Sequence, residues 1–150
     1  MADIGFCEID DLEKLNAETI AAAPLLKDFF DSKEWGGVNQ AYDLGDGIIG
    51  AIGHIAYRDV TGLRHYYSAA FGYDRIKRRY GGLRIICDKS CFPSAAVKDA
   101  ELADILFSAG CESIRGEWIT LYTGISDTCT GTAEIKNPFS SIKKELSGKR

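Results

Sequence analysis

A short stretch of the chain combines an aromatic ring with two side-chain amides. Trp35, Asn39 and Gln40 fall within six consecutive positions. An indole face can stack on the apolar face of a pyranose ring, and amides can donate to and accept from hydroxyl groups. Trp35 could equally pack beneath a loop as part of the core, so both interpretations stay open.

Two titratable side chains further along are also candidates. His54 lies inside an apolar stretch, where a histidine is more often a hydrogen-bonded core residue than a ligand-binding group. Asp127 follows a strand-like run, where its carboxylate could accept two hydrogen bonds from adjacent sugar hydroxyls or close an Asx turn. Asp104 is either a second functional carboxylate or an exposed side chain, and Arg58 and Asp59 are expected in a turn.

The elements that must position these residues are mainly β-strands. Apolar, β-branched runs separated by Gly and Asp turns, such as the turn at 59–62, predict six strands in two groups of three. The fold class is therefore all-β, an antiparallel meander, with a short helix after an Asn16 N-cap. Gly36 and Gly37 are expected to break the chain before the first strand. The predicted strands cover 48–57, 65–73, 83–87, 102–110, 117–124 and 129–135.

The composition of the chain argues against several classes of binding partner. The net charge of −4 argues against a nucleic-acid partner, and the basic run at 75–79 is expected to be a solvated turn. Five cysteines without zinc-finger spacing predict a reduced protein with no metal. No cofactor is expected either. Neither a secretory signal nor an apolar run of ~18 residues is present, so we expect a cytoplasmic protein that does not bind a membrane.

Three motifs follow one another along the chain, at 52–55, at 105–111 and at 121–127 followed by 131–135. In this order and spacing they resemble glycoside hydrolase family 130, the β-propeller mannoside phosphorylases and related hydrolases. Three further stretches read Trp-Gly-Gly-Val-Asn-Gln at 35–40, Gly-His-Ile-Ala at 53–56 and Tyr-Thr-Gly-Ile-Ser-Asp at 122–127. Together they resemble still more closely a sister group of such propellers, in which similar stretches recur.

The resemblance implies the C-terminal half of a five-bladed β-propeller with a carbohydrate pocket at one mouth of its axis. About two to three blades would occupy 35–139, after an N-terminal strand and helix segment at 1–34 and before a basic tail at 140–150. It also implies that Asp127 contacts sugar, and that His54 matches a histidine that helps to hold phosphate in the phosphorylases.

The resemblance does not extend to every functional residue of the family. The segment 38–41 stands where a lysine of the phosphorylases is expected, so hydrolysis or plain binding fits better than phosphorolysis. The segment that carries the family's catalytic aspartate has no counterpart, so the catalytic set is incomplete.

Three hypotheses follow from this comparison. The chain could be half of a glycoside-active enzyme for a neutral, mannose-like sugar, completed by a missing N-terminal half or by a second copy in a homodimer. It could instead be a non-catalytic carbohydrate-binding or assembly module. It could also be a truncated product of a longer protein.

Overall fold

β-Strands form most of the ordered backbone in the computed structural model, which describes residues 3–94 and 96–148. Two helices, α1 and α2, and three single turns of 3-10 helix accompany them in these ranges, so the all-β prediction with a short N-terminal helix is confirmed. The strands are β1 Glu34–Asp43, β2 Ile48–Arg58, β3 Arg64–Asp74, β4 Arg79–Cys87, β5 Asp104–Cys111, β6 Trp118–Ile125 and β7 Cys129–Lys136. The helices are α1 Ala17–Ala21 and α2 Phe139–Ser147.

The strands form two antiparallel groups, β1–β4 and β5–β7, which fits the predicted meander. Six strands in two groups of three were predicted, whereas the first group has a fourth strand, β1, which was not predicted. The two groups meet in one sheet because β3 shares a single edge between two partners. Its segment 68–74 pairs with β4, and His65 and Tyr66 pair in parallel with Asp104 and Ile105 of β5. The parallel junction was not predicted, since hairpin signals describe only antiparallel neighbours.

Two predicted local features are confirmed, the N-cap of α1 and the turn between β2 and β3. The Asn16 side chain accepts a hydrogen bond from Thr19 N and caps α1. The turn between β2 and β3 closes through Gly62 N and Asp59 O at 3.1 Å, and the Asp59 carboxylate accepts from the backbone N–H of Leu63 at 3.0 Å. Asx chemistry of this kind explains why these turns could be recognised in the sequence.

Helix α2 packs on a row of glycines that crosses the first group of strands. Gly50 pairs with Gly72, which pairs in turn with Gly81. A Cβ atom at Gly72 would overlap the side chains of Ile142 and Leu146, so the row forms a groove that receives the helix. The buried α2 side chains Phe139, Ile142 and Leu146 complete the main core with β5–β7.

The opposite face of the first group is covered by the segment before β1. Phe29 packs against Phe71 with ring centroids 4.6 Å apart, and Ala51 is buried in the same cluster. Both faces of β2 and β3 are therefore covered over much of their length, which explains the long apolar run of β2.

One prediction of local structure was wrong. Gly36 and Gly37 do not break the chain but lie inside β1, where a Cβ at Gly36 would overlap the backbone oxygen of His54. The segment predicted as a basic tail is helical up to Ser147, with Ile142 and Leu146 buried and Lys143 Nζ donating to Leu44 O. Lys149 and Arg150 lie outside the described residues.

Candidate functional site

An aromatic cluster forms where β1, β2, β3 and β5 meet, and we define it by Trp35, Asn39, His54, Tyr66 and Phe107. The His54 imidazole stacks on the Tyr66 ring, with centroids 5.4 Å apart and planes at 19°. The Phe107 ring lies 4.6 Å from the imidazole on a tilted plane, and Trp35 Nε1 donates to Tyr66 Oη at 3.2 Å. Three of the residues singled out in the sequence thus come together.

Strand register brings these side chains to one face. Trp35 and Tyr66 pair with the same residue of β2, Ala56, from opposite sides, so they flank it across three strands. The register of β1 shifts between Val38 and Gln40, and such a bulge re-aims a side chain. Through this bulge the side chain of Asn39 reaches His54, with Oδ1 3.1 Å from Nδ1.

Hydrogen bonding and burial define the state of His54. With the amide oxygen of Asn39 as acceptor, Nδ1 of His54 carries the proton and Nε2 keeps its lone pair. Burial lowers the pKa of His54 below its ordinary value, so the imidazole is neutral at pH 7. The cluster therefore offers uncharged donors and acceptors between aromatic walls, a combination suited to a neutral polyhydroxy ligand.

Gln40 lies beside the cluster and joins β1 to β5. Its Oε1 accepts from Tyr42 Oη at 2.6 Å and from the backbone N–H of Cys111 at 3.0 Å. A Cβ at Gly110 would overlap this amide, so the glycine permits the close approach of the two strands. The contacts of Gln40 are those of a structural bridge, whereas the sequence analysis expected it to contact ligand.

Asp127 lies in the tight turn between β6 and β7. It and Ser126 both have left-handed φ values, 53° and 51°. Asp127 is exposed, and among residues 3–94 and 96–148 no backbone N–H donates to its carboxylate, so the Asx-turn alternative lacks its defining contact. Ser126 N donates to Ile105 O at 2.9 Å, which places the turn beside the start of β5.

A second group of titratable side chains lies on the opposite face of β3, and sequence analysis missed it. We define this carboxylate–imidazole cluster by Tyr57, Asp59, His65, Tyr67 and Asp104. Nδ1 of His65 is 2.6 Å from Asp104 Oδ2, and Nε2 is 3.3 Å from Asp59 Oδ2. The Tyr57 ring stacks on the imidazole at 4.7 Å and 12°. The cross-strand pairing of Tyr57 with His65 followed from the 59–62 turn, but the contact with Asp104 depends on the unpredicted junction.

The carboxylates determine the charge of this second cluster. Hydrogen bonding to Asp104 is the largest influence that raises the pKa of His65, and Asp59 adds to it. Hydrogen bonding from the Thr61 hydroxyl is the largest influence that lowers the pKa of Asp59, to about 2. The imidazolium form of His65 is thus favoured, in contrast to neutral His54.

A groove of about 610 Å³ lies at the other end of β3, between the N-terminal segment and the β3–β4 turn. It contains part of the basic run, but Arg75 pairs with Glu8 at 2.7 Å. The groove is some seven residues of extended strand from the aromatic cluster, or about 23 Å. It therefore does not belong to the same site.

Residues 3–94 and 96–148 contain no group of three or more His, Cys, Asp or Glu side chains placed to hold a metal ion. In the same ranges no helix has the length and apolar character needed to cross a membrane.

Solved structures with known folds resemble the chain closely. A mannose phosphorylase from Leishmania mexicana, in complex with a phosphate ion, has 37% sequence identity and a TM-score of 0.86; the match covers 95% of this chain and 46% of that chain. A hypothetical protein from Leishmania major has 38% identity and a TM-score of 0.82, with 94% and 46% covered. A GDP-Man-dependent mannosyltransferase from Leishmania mexicana has 33% identity and a TM-score of 0.82, with 91% and 45% covered.

The chain spans less than half the length of these matched structures. No curated protein matches it. A family model described as "Protein of unknown function (DUF1861)" matches residues 1–141.

Proposed function

The chain belongs to the DUF1861 family of proteins of unknown function, and we propose that its aromatic cluster forms part of a binding site for a neutral, mannose-like sugar. The likeness to a mannose phosphorylase and a mannosyltransferase supports a carbohydrate-related function. The finer assignment, half of a five-bladed propeller similar to glycoside hydrolase family 130, is part of this proposal. The two antiparallel groups of strands are consistent with successive blades.

The proposal rests on the surroundings of His54, which are neutral and lined by aromatic rings. Trp35 and Tyr66 supply ring faces and polar tips, as sugar-binding sites require. His54 Nε2 and the amide of Asn39 supply hydrogen-bond partners for hydroxyls. In this proposal the exposed carboxylate of Asp127 accepts from two further hydroxyls of the sugar.

Phosphorolysis is the weaker form of the proposal. A phosphate dianion needs cationic partners, and burial keeps His54 neutral. The segment 38–41, where the resemblance leads one to expect a lysine of the phosphorylases, reads Val-Asn-Gln-Ala. Hydrolysis or binding alone therefore fits better, with the remaining catalytic groups supplied from outside this chain.

Sugar titration of single variants tests the proposal. We expect calorimetry to detect mannose or methyl mannoside binding that weakens by about tenfold or more in Trp35→Ala, because the ring contact with the sugar is lost. Val60→Ala is the control, since Val60 is fully exposed in the β2–β3 turn and belongs neither to the cluster nor to the aromatic side of β5 and β6.

Asp127→Asn, paired with Asp28→Asn, tests the carboxylate. Both aspartates have left-handed φ values, 53° and 56°, which Asn tolerates, so both variants should fold. Weaker binding only in Asp127→Asn supports the site. Identical sugar isotherms for wild type, Trp35→Ala and Asp127→Asn would contradict it, and heat from phosphate that is lost in His54→Gln would favour phosphorolysis.

Assembly is the second candidate function. The outward side of β6 and β5 exposes three aromatic side chains, Phe107, Trp118 and Tyr122, each at least 41% accessible. The matched structures are about twice as long as this chain, so a second copy would supply a comparable number of strands. We take a second copy of the chain as the occupant of this face.

A further inference from the structure

The two groups of strands are joined through a very short seam. In the described part of the chain, β3 and β5 pair only through His65 with Asp104 and Tyr66 with Ile105. Two residues of parallel pairing offer few hydrogen bonds, so side chains must help to hold the seam. His65 and Asp104, the first of these pairs, are joined directly by the 2.6 Å contact between Nδ1 and Oδ2.

The imidazole of His65 bridges two carboxylates from different elements. Asp104 belongs to the start of β5, and Asp59 belongs to the turn between β2 and β3. Carboxylates only accept hydrogen bonds, and a neutral imidazole has a single N–H. Both contacts can be made at once only when both ring nitrogens carry protons, so the geometry itself selects imidazolium.

The candidate sugar site is formed in part by residues next to this β3–β5 seam. Tyr66, the neighbour of His65, stacks on His54 from β3, and Phe107 contacts the same imidazole from β5. Ser126 N donates to Ile105 O and Ser126 Oγ donates to Ala103 O, so the turn that bears Asp127 is tied to the start of β5. A shift of the seam would move all these groups relative to one another.

We propose that His65 is a positioning residue, a protonated clamp between Asp59 and Asp104 that holds β5 on β3 and so sets the geometry of the aromatic cluster and the Asp127 turn. The effect on sugar rests on the proposed function; the effect on the cluster does not. His65 touches no ligand in this proposal and acts through Tyr66 and β5.

Deprotonation of His65 would remove one of the two hydrogen bonds that the imidazolium donates to Asp59 and Asp104. Its pKa is raised by Asp104 and then by Asp59, so the clamp is complete below 6.5, the ordinary value, and is lost as pH rises through the folded value. Hydrogen bonding to Tyr57 raises the pKa of Tyr67, so neither that phenol nor Asp59 changes charge in this range.

Other charged groups lie near the clamp, each with a partner of its own. Arg64, next to His65, pairs with Glu101 at 3.1 Å, and Lys89 donates to Ala103 O beside Asp104. A transition with a midpoint above pH 6.5 is the one expected of His65, because Asp104 and Asp59 raise its pKa. The lowered pKa of His54 places its own titration below 6.5.

Fluorescence of Trp35 tests the clamp without any ligand. Trp35 is the only tryptophan left in a Trp118→Phe background, and its indole N–H binds Tyr66 Oη. We expect its emission to change with a midpoint above pH 6.5. The transition should disappear in His65→Gln, and in Asp59→Asn its midpoint should shift downward because one carboxylate is neutralised.

Arg58→Gln, in the same turn, is the control and should leave the midpoint unchanged, since Arg58 bonds Gly62 O rather than the imidazole. A transition above pH 6.5 that persists in His65→Gln overturns the proposal. If His65→Gln fails to fold, the Asp59→Asn variant tests the proposal instead. A Trp35 fluorescence midpoint that does not shift in Asp59→Asn overturns the clamp.

Mannose titration across the same pH range separates the clamp from the proposed function. Affinity that falls through the His65 midpoint supports positioning, and unchanged affinity through a clear Trp35 transition overturns it. A Trp35 transition with no mannose binding at any pH leaves the clamp in place and contradicts the sugar site instead.

Discussion

His54 and His65 lie on opposite faces of the β2–β3 pair, and their surroundings move their pKa values in opposite directions. His54 pairs with Ser68 and His65 with Tyr57, positions of opposite parity along the strands. Burial lowers the pKa of His54, whereas Asp104 and Asp59 raise that of His65. These are the two histidines of the chain, so each can be followed separately.

The opposite pKa shifts of the two histidines predict that the free energy of unfolding is greatest near pH 6.5. Below 6.5 the fold must charge His54 against its burial, so the free energy of unfolding falls with decreasing pH. Above 6.5 the contribution of imidazolium His65 is lost as pH rises. Urea unfolding at several pH values measures the curve, and imidazole NMR should show one midpoint on each side of 6.5. Two midpoints on the same side would contradict the assignment.

At the residue scale, the sequence could nominate Trp35 and Asn39 because their types suit sugar contact, and it nominated His54 through the family resemblance. Tyr66 and Phe107 could not be distinguished from other strand aromatics, since their role depends on which strands cross. The function of Asp104 was left open for the same reason: its partner His65 is 39 positions away and reaches it across the parallel junction.

At the scale of elements, α2 shows how a short, polar stretch of sequence acquires a structural role through packing. Its apolar residues are separated by three and four positions, a helical period, within a stretch rich in lysine and serine. The helix is short, and short helices depend on tertiary packing for their stability. The glycine row on β2–β4 supplies that packing surface.

Gly72→Ala is predicted to destabilise the protein by about 1–3 kcal/mol, the usual cost of overpacking. The new Cβ would overlap Ile142 Cγ2 and Leu146 Cδ1 and push α2 off the sheet. Gly124→Ala is the matched control, because a Cβ there meets only Phe107 O at 3.9 Å and the change should be neutral or slightly stabilising. Thermal unfolding measures both, and equal effects would argue against the groove.

At the scale of the whole molecule, β5 and β6 present an exposed aromatic side. An exposed apolar face of a sheet is a docking surface or an aggregation hazard. The chain spans less than half of each matched structure, so a partner that adds further strands is the proposal that fits this surface.

Sedimentation tests the assembly proposal. We expect wild type to sediment as a dimer at micromolar concentration and Trp118→Ala with Tyr122→Ala to shift it to monomer, since these rings are 59% and 41% exposed. Val60→Ala serves as the control, because Val60 is fully exposed in the β2–β3 turn. A strict monomer at high concentration rules out the two-chain arrangement.

The sequence alone determined the class of fold and most strand positions, because β-branched runs, Asx turns and the Asn16 cap are local signals that each act within a few residues. It also nominated part of the candidate site from residue chemistry. Only the tertiary structure decided that β3 divides its edge between β4 and β5, that Gly36 continues a strand, and that His65 meets Asp104. These are contacts between residues far apart in the chain, and no local pattern encodes which edges and faces will meet.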